Sequence, residues 1–296
     1  MKKPVFTGAA VAIITPMHAD GSVNYEELGR VIEDQIANHT DAIVICGTTG
    51  ESPALDHEEH TECIRYTVQK VAGRVPVIAG TGSNDTRYAI QLSQQGEADG
   101  ADALLLVTPY YNKTSQAGLI AHYTAIANAV NLPCILYNVP SRTGCNLQPS
   151  TLAELAKLPN INAVKEASGN ISQVAEIAEL CGDNLNIYSG NDDQIVPLLA
   201  LGGKGVISVL SNVAPQYTHD LCAKWMAGDT AGSLAMQLKA LPLCKALFAD
   251  VNPIPVKWAM NRLGWQAGSC RLPLVEPSAA VQERLETAMR DFGLLK

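Results

Sequence analysis

Short apolar runs recur along this chain, and segments with helix signals lie between them. Eight runs begin about 18 to 33 residues apart, which leaves room for a strand and a crossover helix in each interval. They cover residues 9–15, 42–47, 75–81, 103–109, 134–140, 161–167, 186–191 and 204–210. The runs are apolar throughout rather than alternating, which is typical of parallel strands covered on both faces. Helix start signals lie between runs, such as Asn24 before an acidic turn and Asp56 three residues before Glu59.

Eight strand–helix units predict an α/β fold, a closed (β/α)8 barrel or TIM barrel, with a C-terminal helical extension. A doubly wound open sheet is the alternative, but it would need a glycine-rich nucleotide loop after the first strand. Thr15-Pro16-Met17 stands there instead. The repeating units end near residue 226, and proline-containing breaks at 251–255 and 271–273 separate further helical segments. We therefore expect a barrel domain at residues 1–226 and a helical domain at residues 227–296.

Composition narrows the class of protein. The net charge of −8 over 296 residues argues against binding to nucleic acid or to an acidic membrane surface. The eight cysteines are scattered without a Cys-x-x-Cys pair, which favours free thiols in a reducing cytoplasm. Lys2-Lys3 before the apolar residues 5–14 resembles a secretory signal, but no convincing cleavage pattern follows. No run is long and apolar enough to span a bilayer, so we expect a cytoplasmic protein.

Lys165 is the most informative residue because it stands inside a short apolar, strand-like run. Lysine is rarely buried without a partner. Burial disfavours the ammonium form, so the pKa falls and the amine becomes a nucleophile suited to forming a Schiff base with a carbonyl compound. The alternative is a structural lysine at a strand end, paired with a carboxylate such as Glu166.

Residues at the predicted strand ends decide what chemistry is available, since TIM-barrel active sites lie at that face. All six histidines fall in predicted loops or helices, which argues against a Ser-His-Asp hydrolase and a histidine metal site. His57 and His60 are one residue short of metalloprotease spacing and are better explained as a solvated helix face. The strand ends do carry several tyrosines and threonines, Lys165 and Arg142. This set fits a metal-free Schiff-base aldolase that handles small carboxylates.

The strand-end motifs resemble those of the 4-hydroxy-tetrahydrodipicolinate synthase (dihydrodipicolinate synthase) family, within the pyruvate-dependent class I aldolase and N-acetylneuraminate lyase superfamily. The resemblance covers essentially the whole chain, with the motifs in order. The segments that carry it are GTTGES at 47–52, PYYN at 109–112, YNVPSRTG at 137–144, VKEA at 164–167, GGKGVIS at 202–208 and NPIPVK at 252–257.

The resemblance implies a role for each matching residue. Lys165 would form the Schiff base with pyruvate, and Tyr137 would donate and accept protons over it. Thr48 would link Tyr137 to Tyr111 in a hydroxyl relay, with Tyr111 reaching into a neighbouring subunit. The substrate-binding residues would be Thr49 for the pyruvate carboxylate, Arg142 for the carboxylate of the second substrate, and Gly190 and the Ile207 carbonyl along the pocket.

The reaction that the resemblance implies is condensation of pyruvate with L-aspartate 4-semialdehyde, the first committed step of diaminopimelate and lysine biosynthesis. It needs no metal or organic cofactor. The expected assembly is a homotetramer built as a dimer of dimers. The alternatives are an N-acetylneuraminate lyase, a keto-deoxy sugar-acid aldolase, or a non-catalytic binding protein on the same scaffold. Arg142 favours the synthase among the aldolases, and retention of the whole set argues against a non-catalytic protein.

Some members of this family are inhibited by lysine at a cleft between subunits. The matching positions here are Ser52, His57, His60, Asn84 and Tyr110. Two neighbours depart from the sensitive pattern: Pro53 stands where a small residue is usual, and Tyr88 replaces a glutamate that contacts the ligand's ammonium group. Loss of that carboxylate predicts weak or absent inhibition by lysine.

Overall fold

Eight parallel strands close into a barrel in the computed structural model, which describes residues 2–296. Each strand pairs with its neighbours in chain order, and β8 closes the barrel by pairing with β1. The TIM barrel predicted from the apolar runs is therefore confirmed. The strands are β1 (Gly8–Ala12), β2 (Ala42–Ile45), β3 (Val77–Gly80), β4 (Ala103–Val107), β5 (Cys134–Asn138), β6 (Ile161–Glu166), β7 (Asn186–Ser189) and β8 (Gly205–Ser208).

Helices separate the strands and follow the last one. Two predicted helix starts are present: the Asn24 side chain accepts from the backbone N–H of Glu27, and Asp56 forms a reciprocal capping box with Glu59. The helices are α1 (Tyr25–Ala37), α2 (His57–Val71), α3 (Thr86–Ala98), α4 (Gln116–Ala127), α5 (Pro140–Thr143), α6 (Pro149–Leu155), α7 (Ile171–Cys181), α8 (Ile195–Ala200), α9 (Pro215–Met226), α10 (Thr230–Leu247), α11 (Ile254–Arg262) and α12 (Ala279–Phe292).

Side chains of each strand alternate between the barrel interior and the surrounding helices. On β6, Ala163 belongs to the interior cluster, whereas Val164 packs in the outer layer with the helices. At the N-terminal end of the barrel, Phe6 and Tyr188 stack with ring centroids 4.3 Å apart, and the Tyr188 hydroxyl donates to the Phe6 carbonyl at 2.7 Å. These two rings fill the floor, so the interior opens toward the C-terminal ends of the strands.

The last three helices pack on the barrel rather than apart from it. α10 contacts α9 and α12, and α11 contacts α12. Buried side chains of these helices, such as Leu243, Met260 and Leu285, belong to the same hydrophobic cluster as the outward faces of the strands. The division at residues 226 and 227 falls between α9 and α10 and stays a prediction. Within residues 2–296, no helix is long and apolar enough to cross a membrane.

Candidate active site

Lys165 points into the mouth of the barrel from β6. It lies in register with Tyr137 on β5 and Tyr188 on β7. The side chain is only 6% exposed, and its Nζ stands 4.2 Å from the centroid of the Tyr137 ring. The β5–β6 register shifts between Ile161 and Ala163, and from Ala163 onward the regular alternation that turns Ala163 inward also turns Lys165 inward.

A cavity of about 340 Å³ opens above the amine. It brings together six residues that the sequence singled out: Thr48, Thr49, Tyr137, Arg142, Lys165 and Gly190. They come from the ends of β2, β5, β6 and β7, which is the usual way a TIM barrel assembles a site. The volume fits small carbonyl compounds.

Burial lowers the pKa of Lys165 to about 7, because the ammonium loses its hydration in the barrel mouth. The buried carboxylate of Asp192 partly offsets this by raising the pKa, and the Arg142 guanidinium lowers it further. Near neutral pH a large fraction of the amine is therefore unprotonated, the form that attacks a carbonyl carbon.

Glu166 does not pair with Lys165, because successive strand residues face opposite sides. Its carboxylate accepts from the Asn138 amide at 2.9 Å and from the backbone N–H of Ser168 at 2.7 Å. Burial nevertheless raises the pKa of this carboxyl. The structural ion pair considered as an alternative for Lys165 is thus not formed.

Tyr137 keeps its proton in this site. Burial raises the pKa of the phenol, while Arg142 and the nearby Thr48 hydroxyl act in the opposite direction. A protonated phenol beside the amine can donate to a developing hydroxide or alkoxide and take the proton back later.

The two side chains predicted to bind carboxylates lie on the same cavity and share one neighbour, Asn252. The Asn252 side-chain NH2 donates to the Thr49 hydroxyl oxygen at 3.0 Å. Its backbone carbonyl accepts from the Arg142 guanidinium at 3.1 Å. Thr49 is buried, whereas Arg142 is exposed at the entrance. The cavity therefore has an inner hydroxyl and an outer guanidinium.

Gly190 has no side chain, and Lys165 lies against the space that a Cβ at this position would fill. A Cβ at this position would stand 2.7 Å from the Ala167 Cβ and 3.1 Å from the Lys165 Cε. Ile207 is fully buried in the interior cluster on β8, and the cavity wall next to it is formed by Val209.

Tyr111 does not reach the cavity of its own chain. The residue has a positive φ of 68° in the loop after β4, and its side chain is 91% exposed. Such exposure is unusual for a tyrosine. A single chain thus lacks one member of the predicted hydroxyl relay.

A second cavity, of about 550 Å³, lies beside the first, and Thr48, Val139 and Arg142 line both. Four residues of the predicted lysine site line it: Ser52, His60, Asn84 and Tyr110. Pro53 and Tyr88 line it as well. His57 lies behind Tyr88, with its Nδ1 3.4 Å from the Tyr88 hydroxyl.

His60 in this second cavity is held by a bond to the barrel. Its Nε2 lies 2.7 Å from the Gly80 carbonyl oxygen, and burial lowers the pKa of the ring. Because a carbonyl oxygen can only accept, Nε2 carries the proton in this bond. The interpretation of His57 and His60 as one solvated helix face is wrong for His60, which is buried, and His57 is half-buried.

Sequence reasoning gave no role to Asp192 or Asn252, although both adjoin the site. Asp192 follows β7, so its position at a strand end was a usable signal. Its Oδ2 accepts from the backbone N–H groups of Val209 and Leu210 at 3.0 and 2.9 Å. Asn252 comes from beyond the barrel, and no local pattern places it at the mouth.

Comparisons with known proteins agree with this geometry. The sequence pattern of the Dihydrodipicolinate synthetase family matches residues 5–291. The 4-hydroxy-tetrahydrodipicolinate synthase of Lachnoclostridium phytofermentans is 58% identical over 292 residues, which cover 98% of this chain and 99% of that protein.

Solved structures give the same result at the level of the fold. The chloride-inhibited dihydrodipicolinate synthase of Acinetobacter baumannii, complexed with pyruvate, matches with a TM-score of 0.96 and 43% identity, covering 98% of this chain and 99% of that one. A monomeric dihydrodipicolinate synthase variant matches with a TM-score of 0.96 and 41% identity over 98% of each chain. On sequence and structure together, this chain belongs to the Dihydrodipicolinate synthetase family.

Proposed function

We propose that this chain is a lyase that condenses pyruvate with L-aspartate 4-semialdehyde to 4-hydroxy-tetrahydrodipicolinate, in diaminopimelate and lysine biosynthesis. The observation that carries the proposal is Lys165, a buried amine with a pKa of about 7 that lies against the Tyr137 ring in the barrel mouth. Thr49 and Arg142 on the same cavity supply groups for two carboxylates.

The first half-reaction joins pyruvate to the enzyme. The neutral amine of Lys165 attacks the ketone carbon, and the oxygen becomes a hydroxyl by taking a proton from Tyr137. The Tyr137 phenolate takes the extra proton from the Lys165 nitrogen and passes it to that hydroxyl, which leaves as water and leaves an iminium ion on Lys165. Thr49 holds the pyruvate carboxylate during these steps. Thr48 and the Tyr111 of a neighbouring subunit return the proton to Tyr137 as a hydroxyl relay.

The second half-reaction forms the ring. The iminium ion withdraws electrons, so a methyl proton leaves through the Tyr137 hydroxyl relay and an enamine forms. The enamine carbon attacks the aldehyde carbon of the semialdehyde, whose carboxylate binds Arg142, and the new alkoxide takes a proton from Tyr137. The amino group of the new chain then attacks the iminium carbon and expels the Lys165 amine, which restores the enzyme. The atoms and electrons of these two half-reactions balance without a metal or a redox partner.

Arg142 also separates this function from a sister aldolase, which is the second candidate. A guanidinium at the entrance suits a short substrate that carries its own carboxylate. A sugar-acid aldehyde offers hydroxyl groups at that distance instead.

The decisive experiment is an assay of the purified protein with both substrates, following ring formation through a coupled reductase. Borohydride reduction with pyruvate alone should add a stable adduct to Lys165, and Lys165→Ala should abolish it. Turnover with sugar-acid aldehydes but not with the semialdehyde would establish the sister aldolase. An adduct on another lysine would refute the role of Lys165.

We propose further that the enzyme works as an oligomer, at least a dimer and as expected a homotetramer. The support is the exposed Tyr111, which the proposed relay requires in a neighbouring site. The monomeric variant among the related structures makes a direct measurement necessary. Sedimentation at micromolar concentration would give the mass of the assembly. The eight free cysteines, seven of them buried, support a place in the reducing cytoplasm.

The second cavity is the proposed site for lysine, with weak affinity. Tyr88 presents a phenol where a carboxylate would meet the ligand's ammonium, and that loss weakens binding by about 10- to 100-fold. We expect no inhibition by lysine below the millimolar range. Tyr88→Glu should increase sensitivity, whereas Tyr88→Gln, of the same length without the charge, should not. Strong inhibition of the unaltered enzyme at sub-millimolar lysine would contradict this prediction.

A further inference from the structure

Asn252 reaches the catalytic cavity from the turn between α10 and α11, far from the barrel strands in sequence. It is 4% exposed and contacts both residues proposed to bind carboxylates. Its side chain donates to the Thr49 hydroxyl at 3.0 Å, and its backbone carbonyl accepts from Arg142 at 3.1 Å. The Asn252 Oδ1 is buried without a hydrogen-bond partner.

The direction of the bond to Thr49 matters because a hydroxyl has a single hydrogen. When the Asn252 NH2 donates, it occupies a lone pair of Thr49 and leaves the hydroxyl hydrogen free to point into the cavity. With the amide turned over, the Asn252 oxygen would take that hydrogen. Thr49 would then meet a carboxylate with lone pairs, which repel it.

We infer that Asn252 is a positioning residue that fixes Thr49 as a hydrogen-bond donor toward the pyruvate carboxylate and steadies Arg142 through its main chain. The inference rests on the proposed function, since it takes Thr49 as the pyruvate carboxylate site. It assigns the C-terminal helices a part in substrate binding. The Asn252 side chain acts on pyruvate binding through Thr49, and its backbone carbonyl acts on semialdehyde binding through Arg142.

Asn252→Asp tests this because it keeps the shape but makes the side chain an acceptor at neutral pH. The carboxylate would take the Thr49 hydrogen and place a negative charge near the substrate carboxylate. The KM for pyruvate should rise about 30-fold or more at pH 8. The KM for the semialdehyde should change less than about threefold, because the contact to Arg142 comes from the backbone. The defect should shrink as the pH falls, because burial raises the pKa of a carboxyl and its protonated form can donate again.

Asn191→Asp is the matched control. Asn191 lines the same cavity, but its amide lies 3.4 Å from the Gln194 side-chain oxygen instead of contacting Thr49. It introduces the same charge without touching the proposed donor. An equal rise in the pyruvate KM for both variants, without a pH dependence specific to Asn252→Asp, would overturn the inference.

Asn252→Ala keeps the inference testable if the aspartate variant fails to fold. It removes the donor and frees the Thr49 hydroxyl to rotate, so the pyruvate KM should rise about three- to tenfold. An unchanged pyruvate KM would overturn the inference. Borohydride trapping on the unaltered enzyme distinguishes failure of the proposed function from failure of this inference alone. No adduct on Lys165 would overturn both. A normal adduct with the same pyruvate dependence in all variants would overturn the inference alone.

Discussion

At the scale of single residues, burial and two charged neighbours together set the pKa of Lys165, and with it the fraction of neutral amine. Burial has the largest effect and favours the neutral amine, Asp192 opposes it, and Arg142 adds to it. The position of Lys165 on β6 thus sets most of the fall in its pKa, and the two charged neighbours adjust the result. The balance is visible only in three dimensions, since Asp192 and Arg142 lie on opposite sides of Lys165 in the sequence.

The rate of imine formation should follow the neutral fraction of Lys165. With a pKa of about 7, the rate of borohydride-trappable adduct formation should rise nearly tenfold per pH unit below pH 6 and level off above pH 8. Rapid-quench trapping with pyruvate from pH 5 to 9 measures the profile. A midpoint near 10 would mean that burial does not activate the amine.

Two variants should move that midpoint in opposite directions. Asp192→Asn removes the charge that raises the Lys165 pKa, so the midpoint should fall, and the amide oxygen can still accept from Val209 and Leu210. Arg142→Met removes a charge that lowers the same pKa, so the midpoint should rise. A shift of the same sign in both would refute the electrostatic account.

Arg142→Ala should separate the two substrates. We expect kcat/KM for the semialdehyde to fall about 10- to 100-fold, because a charge-assisted bond to its carboxylate is lost. Pyruvate trapping at pH 8.5, where Lys165 is neutral in either protein, should stay within about twofold. Equal losses for both substrates would show that Arg142 does not act on the second substrate alone.

At the scale of elements, the loop after β2 is anchored to the C-terminal helices. Glu51 has a positive φ of 56°, and its buried carboxylate lies 2.8 Å from the Lys257 Nζ on α11. Lys257 also donates to the carbonyl oxygens of Thr15 and Ser269. The ion pair is almost fully excluded from water, with 2% and 1% of the two side chains exposed. Since Thr48 and Thr49 lie three and two residues before Glu51, α11 helps to hold the residues proposed to meet the substrate.

Lys257→Met should destabilise the fold by about 3–5 kcal/mol, because it leaves Glu51 as an uncompensated buried charge. Chemical denaturation at neutral pH measures the loss. The double variant Glu51→Gln/Lys257→Met should recover most of it, since no buried charge is then left without a partner. A single variant as stable as the parent would show that Glu51 is solvated or protonated in the folded state.

The apolar runs predicted the elements well but not their distant contacts. Continuous apolar stretches located all eight strands, and Asn24 and Asp56 marked two helix starts correctly. The runs overshot some strand ends, because buried loop residues such as Ile13 and Ile14 continue the same composition. The bonds of Asn252 and Lys257 to the loop after β2 span more than two hundred residues, and local periodicity carries no information at that range.

At the scale of the whole molecule, one chain does not bring together every residue of the proposed hydroxyl relay. Tyr111 is 91% exposed and does not line the cavity that contains Lys165, Tyr137 and Thr48. The chain can fold its own pocket, yet under the proposed mechanism it depends on a second copy for the last hydroxyl of the relay. Assembly would then control activity directly.

Mixing two inactive variants tests this dependence. Tyr111→Phe lacks the donated hydroxyl, and Lys165→Ala lacks the nucleophile. In a mixed dimer, one of the two sites would have both groups, so random reassembly in equal amounts should restore about one quarter of the parent activity. Each variant reassembled alone is the control. No recovery after confirmed subunit exchange would place Tyr111 in the site of its own chain, or outside the reaction.

The stacked rings of Phe6 and Tyr188 have a consequence for the order of events. With the floor of the barrel filled by these rings, the proposed mechanism has pyruvate, the departing water, the semialdehyde and the ring product all pass through the mouth at the C-terminal ends of the strands. Under the proposed mechanism, pyruvate binds first, at Lys165 in the inner part of the cavity. The semialdehyde binds second, nearer the entrance. A shared entrance above an inner nucleophile therefore favours an ordered sequence of binding and release, whatever the affinity for each substrate.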